Sequence, residues 1–173
     1  MATQTITCGN CGQGVAATIL RTEIDPGNGT RWLLCPVCNQ GSVRVTTGAV
    51  YPVAPAGGNV AALPDDVAQA WREARTAHAV AAYTASEMMC RKILMHVAVD
   101  VAGRPPGESF VQYVDALEAG GYVAVGLKPV VDKVRQRGNG AAHELPASSE
   151  QDSLTTLRIT EYLLRGTYEL PGL

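Results

Sequence analysis

Five cysteines occur in the 173-residue chain, and four of them form two short knuckles, Cys8-Gly-Asn-Cys11 followed by Gly12, and Cys35-Pro-Val-Cys38. Paired C-x2-C spacing brings two thiolates together twice, and two such pairs complete the tetrahedron that a zinc ion prefers. Gly9 and Gly12 permit the tight bend and the close amide approach that a thiolate knuckle needs. Redox-active C-x-x-C pairs would use the same residues, but they accompany a βαβ unit, for which the chain has no pattern. A disulfide framework is equally out of place in a chain with five cysteines and no secretory signal. The expectation is one structural Zn2+ held by Cys8, Cys11, Cys35 and Cys38. Four thiolates around one divalent ion leave a local charge of about −2 and no open coordination position, which suits folding rather than Lewis-acid chemistry.

A second constellation lies in Val134-Arg-Gln-Arg-Gly-Asn-Gly-Ala-Ala-His143, where ionisable and backbone-permissive residues crowd into an otherwise apolar region. Gly138 and Gly140 each weaken a helix by up to about 1 kcal/mol, a cost that lets the backbone kink or approach a partner closely. A helix continuing through them puts Arg135, Asn139 and His143 on one face. A helix that breaks there lets Arg137 swing toward His143 instead. Lys128, Lys133, Arg135 and Arg137 against Asp132 leave a local excess of three positive charges within ten residues, a phosphate-facing patch in character. The same residues also suit a plain turn with a capping histidine. His78 and His96 lack comparable company and read as surface or packing residues.

The elements that must position these groups divide the chain in two. Formal net charge is −2, so bulk composition gives no general attraction to nucleic acid or anionic membrane, and any such binding needs a local patch. The apolar run Met88 to Ala102 is broken by Arg91, Lys92, His96 and Asp100, and no signal peptide or membrane span is expected. Thiol ligands fit a reducing cytoplasm. Strands are expected over Val15 to Ile24 and Arg31 to Leu34 around a Pro/Gly turn, with a third over Ser42 to Thr46. The expected divisions are a zinc ribbon over 1–50, an uncharged Pro/Gly linker over 51–63, and helices over 64–173. Leu63-Pro64-Asp65-Asp66 opens a helix running over about Val67 to Ala77, with Pro and two acids where the macrodipole favours them. Cys90, Leu94, Val97 and Val101 make the apolar stripe of a long second helix, so Cys90 reads as core. Helices are further expected over Val111 to Ala119, stopped by Gly120-Gly121, and over Leu127 to Arg137. A last one, capped near Ser148-Ser149, carries Leu154, Leu157, Leu164 and Tyr168 inward. The fold class expected is a small β zinc ribbon followed by an all-α helical bundle.

The succession of the two knuckles, a Tyr-Pro linker, Leu63-Pro64-Asp65-Asp66, a helix bearing Arg91, and Arg137-Gly-Asn-Gly-Ala-Ala-His143 resembles the family called domain of unknown function 4145. That family belongs to the HEPN superfamily of helical bundles, and the resemblance extends over nearly the whole chain. HEPN nucleases carry Arg, four to six residues, then His. Arg137 and His143 match with five between, although Gly138 stands where a polar residue usually follows the Arg and Asn139 comes one place later.

The resemblance implies metal-independent cleavage of RNA where two protomers bring their Arg and His motifs together, so a homodimer through the helical domain is implied as well. His143 would move the 2′-hydroxyl or leaving-group proton, Arg137 would stabilise transition-state charge, and Asn139 would orient a phosphate oxygen. Lys128, Lys133 and Arg135 would hold RNA phosphates, and no cofactor would be needed for catalysis. A toxin or phage-defence role fits such an enzyme, with the ribbon selecting RNA or a protein partner. A dimeric adaptor without catalysis is the alternative, since a fold does not carry its activity with it. A nucleotide-binding bundle ranks third, for want of any P-loop or dinucleotide fingerprint.

Overall fold

The computed structural model describes residues 2–22, 29–123, 129, 131 and 147–172. The chain forms two compact units, Met1–Ala56 and Gly57–Leu173.

The first unit is an antiparallel meander of five strands in sequence order, β1 (Thr3–Thr7), β2 (Gly14–Thr22), β3 (Arg31–Leu34), β4 (Gly41–Arg44) and β5 (Val50–Tyr51). Residues alternate between faces, as period-2 geometry requires. Ile6, Val15, Ala17 and Leu33 turn inward with Cys8 and Cys35, while Cys11, Ile19, Cys38 and Val50 close the cluster. A bulge in β2 between Ile19 and Arg21 shifts the register against β3. Strands β1 and β5 are additions to the three that the apolar pattern predicts. β1, Thr-Gln-Thr-Ile-Thr, buries only Ile6, too little hydrophobic signal to read, and β5 is two residues long.

In the second unit four helices are described, α1 (Asp65–Ala79), α2 (Tyr83–Val101), α3 (Phe110–Ala119) and α4 (Glu150–Leu164). A π-helical turn over Arg165–Glu169 and a 3-10 turn over Leu170–Gly172 continue the last. Helix α2 packs against each of the other three, and α1 also meets α4. Its inward stripe is Ser86, Cys90, Ile93, Leu94, Val97 and Ala98; Val101, expected in that stripe, is half-buried. The facing side chains include Trp71 from α1, Tyr113 and Leu117 from α3, and Leu157, Leu163 and Leu164 from α4. Leu154 and Tyr168, expected to point inward, are half-buried, because Ser153, Thr156, Ile159 and Thr160 take the inner positions.

Local signals set the helix ends. Asp65 and Asp66 occupy the first turn of α1. Ser109 caps α3 in a reciprocal box with Gln112, Gly120 and Gly121 end it, and Ser149 caps α4 by accepting from the Asp152 amide. The helix expected over Leu127 to Arg137 lies, apart from Pro129 and Val131, outside the described residues.

Residues 51–63, read from sequence as a linker, make fixed contacts within each unit. Tyr51 pairs with Val43 in the sheet. In the helical unit the Trp71 indole donates to the Gly58 carbonyl at 3.1 Å. Buried Arg75 donates to Asn59 Oδ1 at 2.7 Å and to the Gly57 carbonyl at 2.8 Å. Arg165 donates to the Asn59 carbonyl at 3.0 Å. A Cβ at Gly58 would stand 2.4 Å from Arg165 Nη2, so the strap lies close against side chains of α1 and of the turn after α4.

Candidate metal centre

The two knuckles share one backbone design. The Cys8 amide donates to the Gln13 carbonyl at 2.9 Å and the Gly12 amide to the Cys8 carbonyl at 2.8 Å; Cys35 with Gln40, and Asn39 with Cys35, repeat the pattern at 3.0 Å each. The residue after the second cysteine adopts a left-handed conformation in both, Gly12 at φ 74° and Asn39 at φ 58°. Asn is the residue that tolerates that region best after Gly. Gly9 has a further reason to be glycine, since a Cβ there would lie 1.7 Å from the Pro52 carbonyl oxygen. Asn10 ties the first knuckle to β4 by donating from Nδ2 to the Gly41 carbonyl at 3.1 Å.

This scaffold brings all four predicted cysteines together. Cys8 Sγ lies 3.7 Å from Cys38 Sγ and Cys11 Sγ lies 3.9 Å from Cys35 Sγ, and the four sulfurs all fall within 4.8 Å of one another. A tetrahedron with metal–sulfur bonds of about 2.3 Å has edges of about 3.8 Å, so the quartet has the dimensions of a four-thiolate site. The electrostatics ask for a cation. Burial opposes ionisation of Cys8, yet the amides of Cys11 and Asn10 and the thiols of Cys11 and Cys35 outweigh it and bring Cys8 down to about 7. The Gln40 amide favours a thiolate at Cys38, but burial and the other three cysteines push that thiol up to about 12. Burial, ahead of any other cause, also raises Cys11. The cluster accepts one negative charge near neutrality and resists the next, until a divalent ion compensates them. Cys90, far along the chain, is fully buried and its thiol is pushed up to about 12 by that burial; it is core, as its place in the α2 stripe predicts.

The predicted catalytic and RNA-binding residues Arg137, Asn139, His143, Lys128, Lys133 and Arg135 lie outside the described residues. What is described is the frame on the C-terminal side of that segment. Ser148 donates its amide to Thr84 Oγ1 at 3.1 Å and its hydroxyl to Glu87 Oε2 at 2.5 Å. Glu87 Oε1 accepts from Thr156 of α4 at 2.7 Å. One turn on, the Arg91 guanidinium stacks over the Phe110 ring at 4.4 Å. Burial lowers its pKa while the Glu87 charge raises it. Thr84, Glu87 and Arg91 thus form a polar seam on α2. His78 pairs with Ser153 at 2.9 Å and meets the Tyr83 ring in a tilted contact, and exposed His96 sits 3.6 Å from Asp66, packing and surface roles respectively.

Two features escaped the sequence reading. The seam could have been suspected from Thr84, Glu87 and Arg91 at spacings of three and four. The aromatic face of the ribbon, with Trp32, Val43 and Tyr51 in register across three strands, depends on a pairing between β4 and β5 that no local pattern announces.

No helix among the described residues is long and apolar enough to cross a membrane. No curated protein and no solved structure matches the chain. The family described as domain of unknown function (DUF4145) matches residues 72–173, from within α1 to the last helix and its terminal turns, and leaves the ribbon outside the match. With more than half of its sequence in that match, the chain belongs to the DUF4145 family.

Proposed function

We propose that the chain is a HEPN-type, metal-independent endoribonuclease that acts as a homodimer, and that its four cysteines hold a structural zinc ion in a ribbon that selects RNA or a protein partner. The observation that carries this reading is the Arg137-x5-His143 motif inside the span matched by the family. It is supported by the frame beside it, since the chain five residues beyond His143 is pinned to α2 by Thr84 and Glu87. Zinc is favoured by a closed set of four thiolates at tetrahedral spacing, a donor set that selects zinc over harder divalent ions and leaves no coordination position for substrate.

In this reading the metal folds the ribbon and takes no part in cleavage. His143 accepts the 2′-hydroxyl proton in one protomer and its counterpart protonates the leaving 5′-oxygen, a division of acid and base work that an imidazole titrating near neutrality allows. Arg137 stabilises the charge that develops on the phosphorane-like transition state, and Asn139 orients a non-bridging oxygen. Lys128, Lys133 and Arg135 hold neighbouring phosphates. The product ends are a 2′,3′-cyclic phosphate and a 5′-hydroxyl. Such an enzyme suits a toxin or phage-defence role within the cytoplasm.

The test is cleavage of a mixed pool of end-labelled RNAs in EDTA by the wild type and His143→Ala. Cyclic-phosphate ends made by the wild type and lost in the variant are the expected result. Inactivity of both proteins, with a dimer confirmed by sedimentation, overturns catalysis and leaves the second reading, a dimeric adaptor. Gly138 favours that second reading, because it replaces the polar residue that usually follows the motif arginine in HEPN nucleases.

A further inference from the structure

Among the described residues of the helical unit, four arginines are buried or half-buried: Arg75, Arg91, Arg104 and Arg165. Three of them are met by oxygen acceptors. Arg75 donates to Asn59 Oδ1 and the Gly57 carbonyl. Arg104 forks onto Glu108, and Arg165 pairs with Glu161 and Glu169 and reaches the Asn59 carbonyl. Arg91 differs. Among the described residues it donates no hydrogen bond and enters no ion pair.

What Arg91 does have is an aromatic ring against it. Its Cζ stands 4.4 Å from the centre of the Phe110 ring, and Phe110 is buried at the first position of α3. Such a contact engages the π-face of the ring and leaves the five N–H donors of the guanidinium unspent. Glu87, one turn back on α2, acts on Arg91 through its charge, while its two carboxylate oxygens accept from Ser148 and Thr156. Withdrawing a guanidinium from water is costly while its donors go unmet, and the group cannot escape by losing its proton. A charged fork held against a ring, half-buried and with its donors unspent, fits an oxyanion that takes two parallel hydrogen bonds. Position along the chain selects the anion. Thr84, Glu87 and Arg91 follow at spacings of three and four on one side of α2, and the first two pin Ser148, five residues beyond His143 in sequence.

We propose that Arg91 is a phosphate-binding residue of the RNA site, its guanidinium donating to two non-bridging oxygens of one phosphodiester while Phe110 holds the group in place. The choice of anion rests on the RNA-directed reading above, but does not require that the bound strand be cut.

The test is fluorescence anisotropy of labelled 12-nucleotide 2′-O-methyl RNA and DNA oligomers, neither of which has a 2′-hydroxyl to attack, with the full-length protein. Binding is expected at about 1–100 µM near physiological salt. Arg91→Gln should weaken it about tenfold and lower the logarithmic salt slope by about 0.7, the share of one phosphate on a single strand. Arg91→Lys should keep the slope of the wild type yet bind about threefold more weakly, because an ammonium is a point charge without the fork. A second readout needs no variant. Phenylglyoxal, mapped by peptide mass, should modify Arg91 in the free protein at least about fivefold faster than at saturating oligomer. No anisotropy change with either oligomer up to about 100 µM overturns the proposal, as do wild-type affinity and slope in Arg91→Gln. Binding that leaves Arg91 unprotected overturns it as well, and that result alone decides if Arg91→Gln loses its helix signal. Arg91-dependent binding without RNA cleavage by the wild type would remove the nuclease reading and keep the site. Cleavage with kcat/KM unchanged in Arg91→Gln would do the reverse.

Discussion

The two units solve the same problem with different materials. The helical unit buries a continuous apolar set around α2, including Trp71, Leu94, Tyr113, Leu117, Leu157 and Leu164, enough side-chain area to offset the entropy of ordering its helices. The ribbon buries Ile6, Val15, Ala17, Leu33 and two of its cysteines. So small a core does not normally hold a sheet together unaided, and four sulfurs within 4.8 Å have the spacing to hold an ion that would take over that task. Polar groups are handled differently as well. The ribbon gathers its thiols at one point for a cation. The helical unit spreads buried polar contacts along seams, through Arg75 to the Gly57–Asn59 strap and through Glu87 to Ser148 and Thr156. Removing one group should therefore undo the ribbon but only loosen the helices.

The largest effect is expected from stripping the metal. Binding energy of about 10–16 kcal/mol is folding energy in small zinc modules. A strong chelator should expose Arg21, Arg31 and Arg44 to trypsin while the far-ultraviolet helix signal persists. A parallel loss of helix would break the contrast between the units. Metal retention should also fall with pH. The bound thiolates hold no protons, whereas unfolded thiols titrate near 9.0, so the unfolded ribbon binds more protons and stability rises with pH. The depressed Cys8 thiol shares this sign without metal. Its contribution is complete above about 9 and lost as pH falls through about 7. Metal release to a chromophoric chelator, followed from pH 8 to pH 5, tests the direction.

Leu94→Ala should come next, at about 2–5 kcal/mol by urea unfolding of the helix signal, with metal content unchanged; a loss of metal would mean that the units do not stand independently. Arg75→Ala should cost about 2–3 kcal/mol, because Asn59 Oδ1 and the Gly57 carbonyl lose a buried donor. Arg75→Lys should not restore it, since an ammonium lacks the fork that reaches both acceptors. Faster amide exchange confined to residues 57–61 and their contacts would place the effect at the strap. Ser109→Ala is the smallest, at about 1 kcal/mol, as the loss of one reciprocal helix cap.

Much of this organisation was legible where local chemistry decides it. The spacing of Cys8, Cys11, Cys35 and Cys38 picked out the four sulfurs that come together, because a C-x2-C turn presents two thiolates whatever surrounds it. The ends of α3 and α4 followed from Gly120-Gly121 and Ser149, whose effects are confined to one helical turn. Arg31–Leu34 was readable as a strand from its own apolar content. β1 was not, since a strand with a single buried residue owes its existence to the partner that pairs with it. The strap was hidden for a related reason. Gly57, Gly58 and Asn59 read as a linker because their partners, Trp71, Arg75 and Arg165, are distant in sequence, and apart from Asn59 Oδ1 the acceptors are backbone carbonyls that every residue possesses.

By itself, then, the sequence determined the four cysteines of the candidate metal site, the division into ribbon and helices, and the caps, all of which rest on groups a few residues apart. Only the tertiary structure decided that the four sulfurs stand at tetrahedral spacing, that Asn39 repeats the left-handed turn of Gly12, that Arg75 is buried on a strap, and that Trp32 and Tyr51 share an open face. Each of these depends on strand register or helix packing. One step of register reverses the face on which a side chain stands, and no local pattern carries that information.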